Sequence, residues 1–141
     1  MKKELSKKIP VSVLVVGSVT IDRIVENRTT SERLGGVVTY GGLTFQRLGV
    51  ASAVVTNIAR ADRALLGILA DEGVSVYAGA SPRTTRFVNE SRGDLREQRM
   101  PEAAGPVTAD QIRPFLPAIR HVHAGPLHPE DIDPQAMALM G

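Results

Sequence analysis

Two stretches of the chain, residues 11–16 and 51–58, are almost wholly apolar and rich in β-branched side chains. Runs of this length without polar alternation fit strands buried on both faces, the kind from which parallel sheets are built. Between them, residues 26–33 are polar and read as a loop leading to Gly35-Gly36. Residues 37–48 then place Val37, Tyr40, Leu43, Thr44 and Leu48 close to helical spacing, with Gly49 as a left-handed cap. Strand, loop, helix, strand is the βαβ unit of a parallel sheet, and its crossover is expected to be right-handed.

The pattern continues with a helix expected over 62–71, with Leu65, Leu66 and Leu69 on one side, stopped by Gly73 before a short strand at 74–77. From 84 to 99 it changes to alternation around Phe87 and Asn89, followed by a Gly93-Asp94 turn and a charged return segment, which reads as a hairpin. Thr108 and Gln111 have capping-box spacing for a helix to about residue 116, which Pro114 is placed to shorten. A strand at 121–124 and a last helix capped by Asp133-Pro134 complete an α/β pattern of one domain over residues 1–141.

Composition narrows the function classes. The chain contains no cysteine, so disulfides and thiolate metal sites are excluded and a cytoplasmic location is the expectation. Lys2, Lys3, Lys7 and Lys8 ahead of an apolar run imitate a secretory leader, but the run is short, opens at Pro10 and is followed by no Ala-x-Ala cleavage pattern. No segment approaches the roughly 20 apolar residues that span a bilayer, so no membrane partner is expected. The net charge is only +2 and aromatic residues make up 4% of the chain, which argues against a nucleic-acid partner.

The opening run Val13-Leu14-Val15-Val16-Gly17-Ser18-Val19-Thr20-Ile21-Asp22 resembles the first strand of ribokinase-like (PfkB) carbohydrate kinases, in which an acidic residue follows a Gly-x-x-x-x-Asp run. Gly35-Gly36, a helical stretch ending at Leu48-Gly49 and the strand Ala53-Val54-Val55-Thr56 resemble that family's N-terminal signature in order and spacing. Leu69-x-x-Glu72-Gly73-Val74, Thr84-Thr85-x-Phe87 and Gly125-Pro126 extend the resemblance over nearly the whole chain. Within the family, Gly36-Val37-Val38-Thr39-Tyr40 with Leu43-Thr44 and Arg47-Leu48-Gly49 is most similar to the branch that includes plant myo-inositol kinases. Tyr40 stands where the signature has asparagine, Val38 where it has a small residue and Ala59 where it has a glycine, so ribose is not the expected substrate.

The resemblance implies a parallel sheet with flanking helices and a small β-hairpin lid over residues 83–100, truncated ahead of the half that binds ATP and magnesium. The family's Gly-Ala-Gly-Asp segment, which supplies the anion-holding helix terminus and the catalytic base, is absent, and no Gly-x-x-x-x-Gly-Lys loop replaces it. No catalytic residue is therefore assigned, and neither ATP nor magnesium is expected to be bound by this chain alone. The expected partners are a sugar or polyol and a missing C-terminal half or a second copy, because a sheet without its other half would leave apolar strands open. A non-enzymatic polyol-binding or assembly module derived from the same fold is the alternative.

The candidate substrate-binding residues are Asp22, Gly35, Gly36, Thr39 and Tyr40. Asp22 is either a turn cap or, as the resemblance implies, an acceptor for paired sugar hydroxyls at the carboxyl end of a parallel strand. Gly35 and Gly36 either form a tight loop or let a ligand approach the backbone at a helix N-terminus, and the two roles are compatible. Thr39 and Tyr40 lie one turn into the helix and either present hydroxyls to a pocket or, for Tyr40, join the core. Arg83, Arg86, Arg92, Arg96 and Arg99, interleaved with Glu90, Asp94 and Glu97, read as a solvated hairpin face. His121, His123 and His128 have no acidic partner at metal-ligand spacing and read as packing residues.

Overall fold

A computed structural model describes residues 11–141. Lys2, Lys3, Lys7, Lys8 and Pro10, weighed above as a leader and a strand opening, lie outside the described residues. The elements in chain order are β1 (Val13–Val16), β2 (Thr20–Glu26), β3 (Thr29–Gly35), α1 (Val37–Arg47), β4 (Ser52–Ala59), a 3-10 segment (Arg60–Leu66) running into α2 (Gly67–Asp71), β5 (Ser75–Ser81), β6 (Thr85–Arg92), β7 (Leu95–Glu102), α3 (Ala109–Ile112) with a 3-10 extension (Arg113–Phe115), β8 (His121–Ala124) and α4 (Pro134–Met140).

Among the described residues the strands form two four-stranded sheets. The first has the order β5-β4-β1-β8 and is parallel throughout. Because side chains alternate across a strand, Leu14, Val16, Ala53 and Val55 face one side and Val13, Val15, Val54 and Ile58 the other. The first set packs with Val107, Ile112 and Ile132 near α3 and α4, and the second with Val38 of α1 and with Leu66 and Leu69. Each fully buried Leu or Ile here contributes about 1.5–3 kcal/mol of transfer free energy. The apolar strands are thus covered on both faces by the chain's own helices, which corrects the expectation that they lie open.

The second sheet, β3-β2-β6-β7, has a parallel β2–β6 pair flanked by two antiparallel hairpins. The β6–β7 hairpin turns at Gly93 (φ 58) as the pattern predicted, with a register irregularity between Arg86 and Val88. The β2–β3 hairpin is a correction, since residues 26–33 read as a loop. Its turn residues Asn27 and Arg28 both have positive φ (50 and 91), the hallmark of a two-residue hairpin turn. The first five residues of β3 are exposed, so ladder hydrogen bonds rather than burial hold the strand, and no hydrophobic alternation marks it.

The expected 62–71 helix is a 3-10 segment followed by one short α-turn. Leu66 and Leu69 are buried in it, whereas Leu65 is exposed. The next strand runs further than 74–77, to Ser81. The Thr108–Gln111 capping box forms, and α3 gives way to a 3-10 turn at Arg113-Pro114, where proline has no N–H to continue the ladder. Asp133 Oδ1 caps α4 by accepting from Gln135 N at 2.8 Å.

Candidate functional site

The chain leaves β1 at Gly17 and enters the second sheet through β2, which carries Thr20 and Asp22 on one side of the strand. Asp22 therefore sits inside a strand of the second sheet, not in the turn just past β1. Thr20 is buried, and its Oγ1 donates to Asp22 Oδ1 at 2.7 Å. In the β2–β3 register Gly35 lies opposite Thr20. A Cβ at Gly35 would overlap Asp22 Oδ2 and lie 2.9 Å from Asp22 Cγ and 3.0 Å from Thr20 Oγ1. Gly36 has φ 91, and a Cβ there would come within 2.6 Å of Ser18 O, so the backbone conformation and the space both select glycine. The double glycine is the counterpart of the Thr20-x-Asp22 strand against which it folds.

Gly36 is also the N-cap of α1, which has no side-chain cap, so the first amides of the helix find no side-chain acceptor. Gly36 and Val37 at this helix start and Asp22 border a cavity of about 760 Å³ beyond the carboxyl ends of β1 and β8. The first sheet's side contributes Tyr40, Thr44, Phe45, His123 and Leu127, and the second sheet contributes Asp22, Phe87 and Gln98. In open α/β sheets this is the edge at which ligands bind. Gln98 Nε2 donates to Asn89 Oδ1 at 2.8 Å, which orients the Gln98 amide on β7.

Of the residues expected from the sequence, Asp22, Gly36 and Tyr40 meet at this cavity. Tyr40 is half exposed and does not belong to the core. Thr39 does not reach the cavity: it is 3% exposed, and its hydroxyl donates to Gly35 O at 2.6 Å, a back-bond within the helix start. Gly35 lies behind the Asp22 carboxylate and does not line the cavity itself.

His123 was expected to be a packing residue. It is exposed, lines the cavity and meets Phe45 edge-to-face at 5.9 Å. In the sequence Phe87 belongs to the hairpin pattern and to the Thr84-Thr85-x-Phe87 match, and Gln98 to the hairpin alone; neither is a site candidate. Phe87 lies opposite Asp22 in the β2–β6 register, a contact between strands far apart in sequence, and Gln98 follows on β7 through its pairing with Asn89.

The far wall is held by Asp131, which is fully buried. Ser18 Oγ donates to Asp131 Oδ1 at 2.5 Å and Leu127 N donates to Oδ2 at 2.9 Å, so this carboxylate ties the loop after β8 to the segment after β1.

Three of the five hairpin arginines form ion pairs: Arg86 with Asp62 (3.5 Å) and Glu102 (3.2 Å), Arg92 with Glu90 (2.8 Å), and Arg99 with Glu90 (3.9 Å) and Glu97 (3.8 Å). Such pairs are worth at most about 1 kcal/mol each, and they fit a solvated face. Among the described residues there is no group of three or more His, Asp or Glu side chains that could hold a metal ion, and no helix is long and apolar enough to cross a membrane.

No family model and no curated protein matches the chain. Solved structures do. A pyrophosphate-dependent kinase of the ribokinase family, complexed with a pyrophosphate analog and myo-inositol, superposes with a TM-score of 0.71 at 32% identity, covering 82% of this chain and 40% of that one. A pyrophosphate-dependent myo-inositol-1 kinase, converted into a myo-inositol-3 kinase by two substitutions, gives a TM-score of 0.75 at 31% identity over 86% of this chain and 41% of that one. An uncharacterized sugar kinase from Pyrococcus horikoshii in complex with ATP shares the fold at 18% identity and a TM-score of 0.56, over 65% of this chain and 35% of that one. The two sheets, their helices and the cavity between them therefore constitute a ribokinase-type α/β fold. The chain belongs to the ribokinase family of PfkB sugar kinases and spans about 40% of the length of the relatives it matches.

Proposed function

We propose that this chain is the acceptor-binding half of a kinase that phosphorylates a hydroxyl of a cyclic polyol, with inositol as the leading candidate. The observation that carries this reading is the convergence of the Asp22 carboxylate and the uncapped N-terminus of α1 on one cavity at the carboxyl edge of the parallel sheet. A carboxylate accepts from vicinal hydroxyls, and helix amides donate to hydroxyl oxygens, so both faces of a polyol O–H are served. Tyr40, Phe45 and Phe87 offer ring surface to the C–H face of a cyclic ligand. The myo-inositol complex of the ribokinase-family neighbour supports the choice of ligand.

In this reading residues 83–100 and the β2–β3 hairpin form the lid, and residues 1–141 are a single partial domain. The phosphoryl donor and the base come from a second half, supplied by further chain or a partner, because the sequence contains neither a Gly-Ala-Gly-Asp segment nor a Walker-type loop. ATP with magnesium is the family's general donor, and the two neighbours at 31–32% identity are pyrophosphate-dependent kinases. This chain alone is expected to bind the acceptor without turning it over.

A thermal-shift panel tests the reading, since a ligand that binds only the native state raises the melting temperature with its occupancy. The expected result is stabilisation by myo-inositol or a related cyclitol, with none from nucleotides. Stabilisation by ATP or pyrophosphate alone, with no response to any polyol, would refute it.

A further inference from the structure

We propose that Thr20 and Gly35 are positioning residues that fix the Asp22 carboxylate in one orientation before a ligand arrives. This proposal rests on reading the cavity as a polyol site. A partly buried carboxylate on a strand has rotameric freedom that binding would have to remove, and an acceptor held in advance avoids that loss. Here the freedom is removed from two sides.

Thr20 is β-branched and therefore stiff at χ1, is 1% exposed, and donates its only side-chain proton to Asp22 Oδ1 at 2.7 Å. On the other side Asp22 Oδ2 lies over the Cα of Gly35, in the space any Cβ would fill. Gly35 shows no positive φ, unlike Gly36, so its backbone does not require glycine. A glycine inside a strand weakens it, and close approach by another group is the usual reason for its presence. The group that approaches Gly35 is the Asp22 carboxylate. Thr39, whose hydroxyl donates to Gly35 O at 2.6 Å, anchors this backbone to α1 and thereby joins the same arrangement without touching the cavity.

The arrangement makes Gly35→Ala a selective probe, because alanine is compatible with the backbone and displaces only the carboxylate and its neighbour. Thr20→Val removes the hydroxyl, and Thr20→Ser restores it. Calorimetric titration of myo-inositol into the 141-residue chain is expected to show Gly35→Ala and Thr20→Val each weakening binding by about tenfold, the loss typical of a hydrogen bond to a charged group, while Thr20→Ser stays close to the original affinity. In an Asp22→Ala background the same two substitutions should cost nothing further, since residues that act through Asp22 are non-additive with its removal.

Equal losses with and without Asp22, or full affinity in Thr20→Val and Gly35→Ala, would overturn the proposal. A second readout is independent of any ligand: the carboxyl carbon resonance of Asp22 should move in Gly35→Ala and Thr20→Val and hold in Thr20→Ser. If the wild-type chain or Asp22→Ala shows that myo-inositol does not use this site, the polyol reading falls. The resonance then still decides the positioning role, which an unmoved signal in both variants would refute.

Discussion

Asp131 is the residue on which the cavity wall depends. Both carboxylate oxygens are taken, by Ser18 Oγ and by Leu127 N, and the side chain has no access to water. Replacing it by alanine leaves a buried hydroxyl and a part-buried amide without acceptors, at about 1–3 kcal/mol for the buried group and up to that for the amide. Asp131→Ala should therefore lower the urea midpoint by the equivalent of about 2–5 kcal/mol with an unchanged slope, and Asp131→Asn by less. A midpoint within error of wild type would mean that the loop after β8 is not held by this residue. Asp131 drew no attention in the sequence, where it is one acid in a Pro-Glu-Asp-Ile-Asp-Pro run; its partner Ser18 lies 113 positions away. From the residues alone Asp22 reads as a turn cap, and only the family resemblance singles it out as a binding candidate. Thr39 was misjudged because helical spacing gives a face but not the back-bond to Gly35 that occupies its hydroxyl.

Among the elements, those with a hydrophobic period were legible and those made by ladders alone were not. β1, β4 and α1 announce themselves by apolar runs and helical spacing, and their observed limits differ from the expected ones by a few residues at most. β3 has five exposed residues in succession, and β7 is exposed over seven, so burial contributes little to either. Their recognition needed the Gly93 turn in one case and failed at the Asn27-Arg28 turn in the other.

The second sheet is joined to the first by a short relay, in which Ala59 N donates to Thr84 Oγ1 at 3.0 Å and Thr84 Oγ1 donates to Asp62 Oδ2 at 2.7 Å. Arg86 pairs with the same carboxylate oxygen at 3.5 Å. Asp62→Ala should therefore speed amide exchange at the start of β6 by about tenfold, with β1 and β4 unaffected, because local openings draw only on the contacts they break. Uniform acceleration across both sheets would show that the two open as one unit.

For the molecule as a whole, the sheet order leaves the outer edge of β8 with no strand partner among the described residues, and β8 itself is mostly exposed. An unpaired parallel edge is a template for further pairing, and Met137 and Leu139 of α4 are also exposed. Self-association at this edge is the expected outcome when no second half is present. Sedimentation velocity should show concentration-dependent dimer, weakened by lysine substitutions at the exposed His121 and Ala124 of β8; an ideal monomer at all accessible concentrations would refute it.

Calorimetric titration of myo-inositol into wild-type chain and Asp22→Asn is the decisive measurement for the acceptor site. Saturable binding at one site per chain is predicted, weakened about tenfold or more in Asp22→Asn with the urea midpoint unchanged. Absence of binding, or equal affinity in the two proteins, would contradict the account.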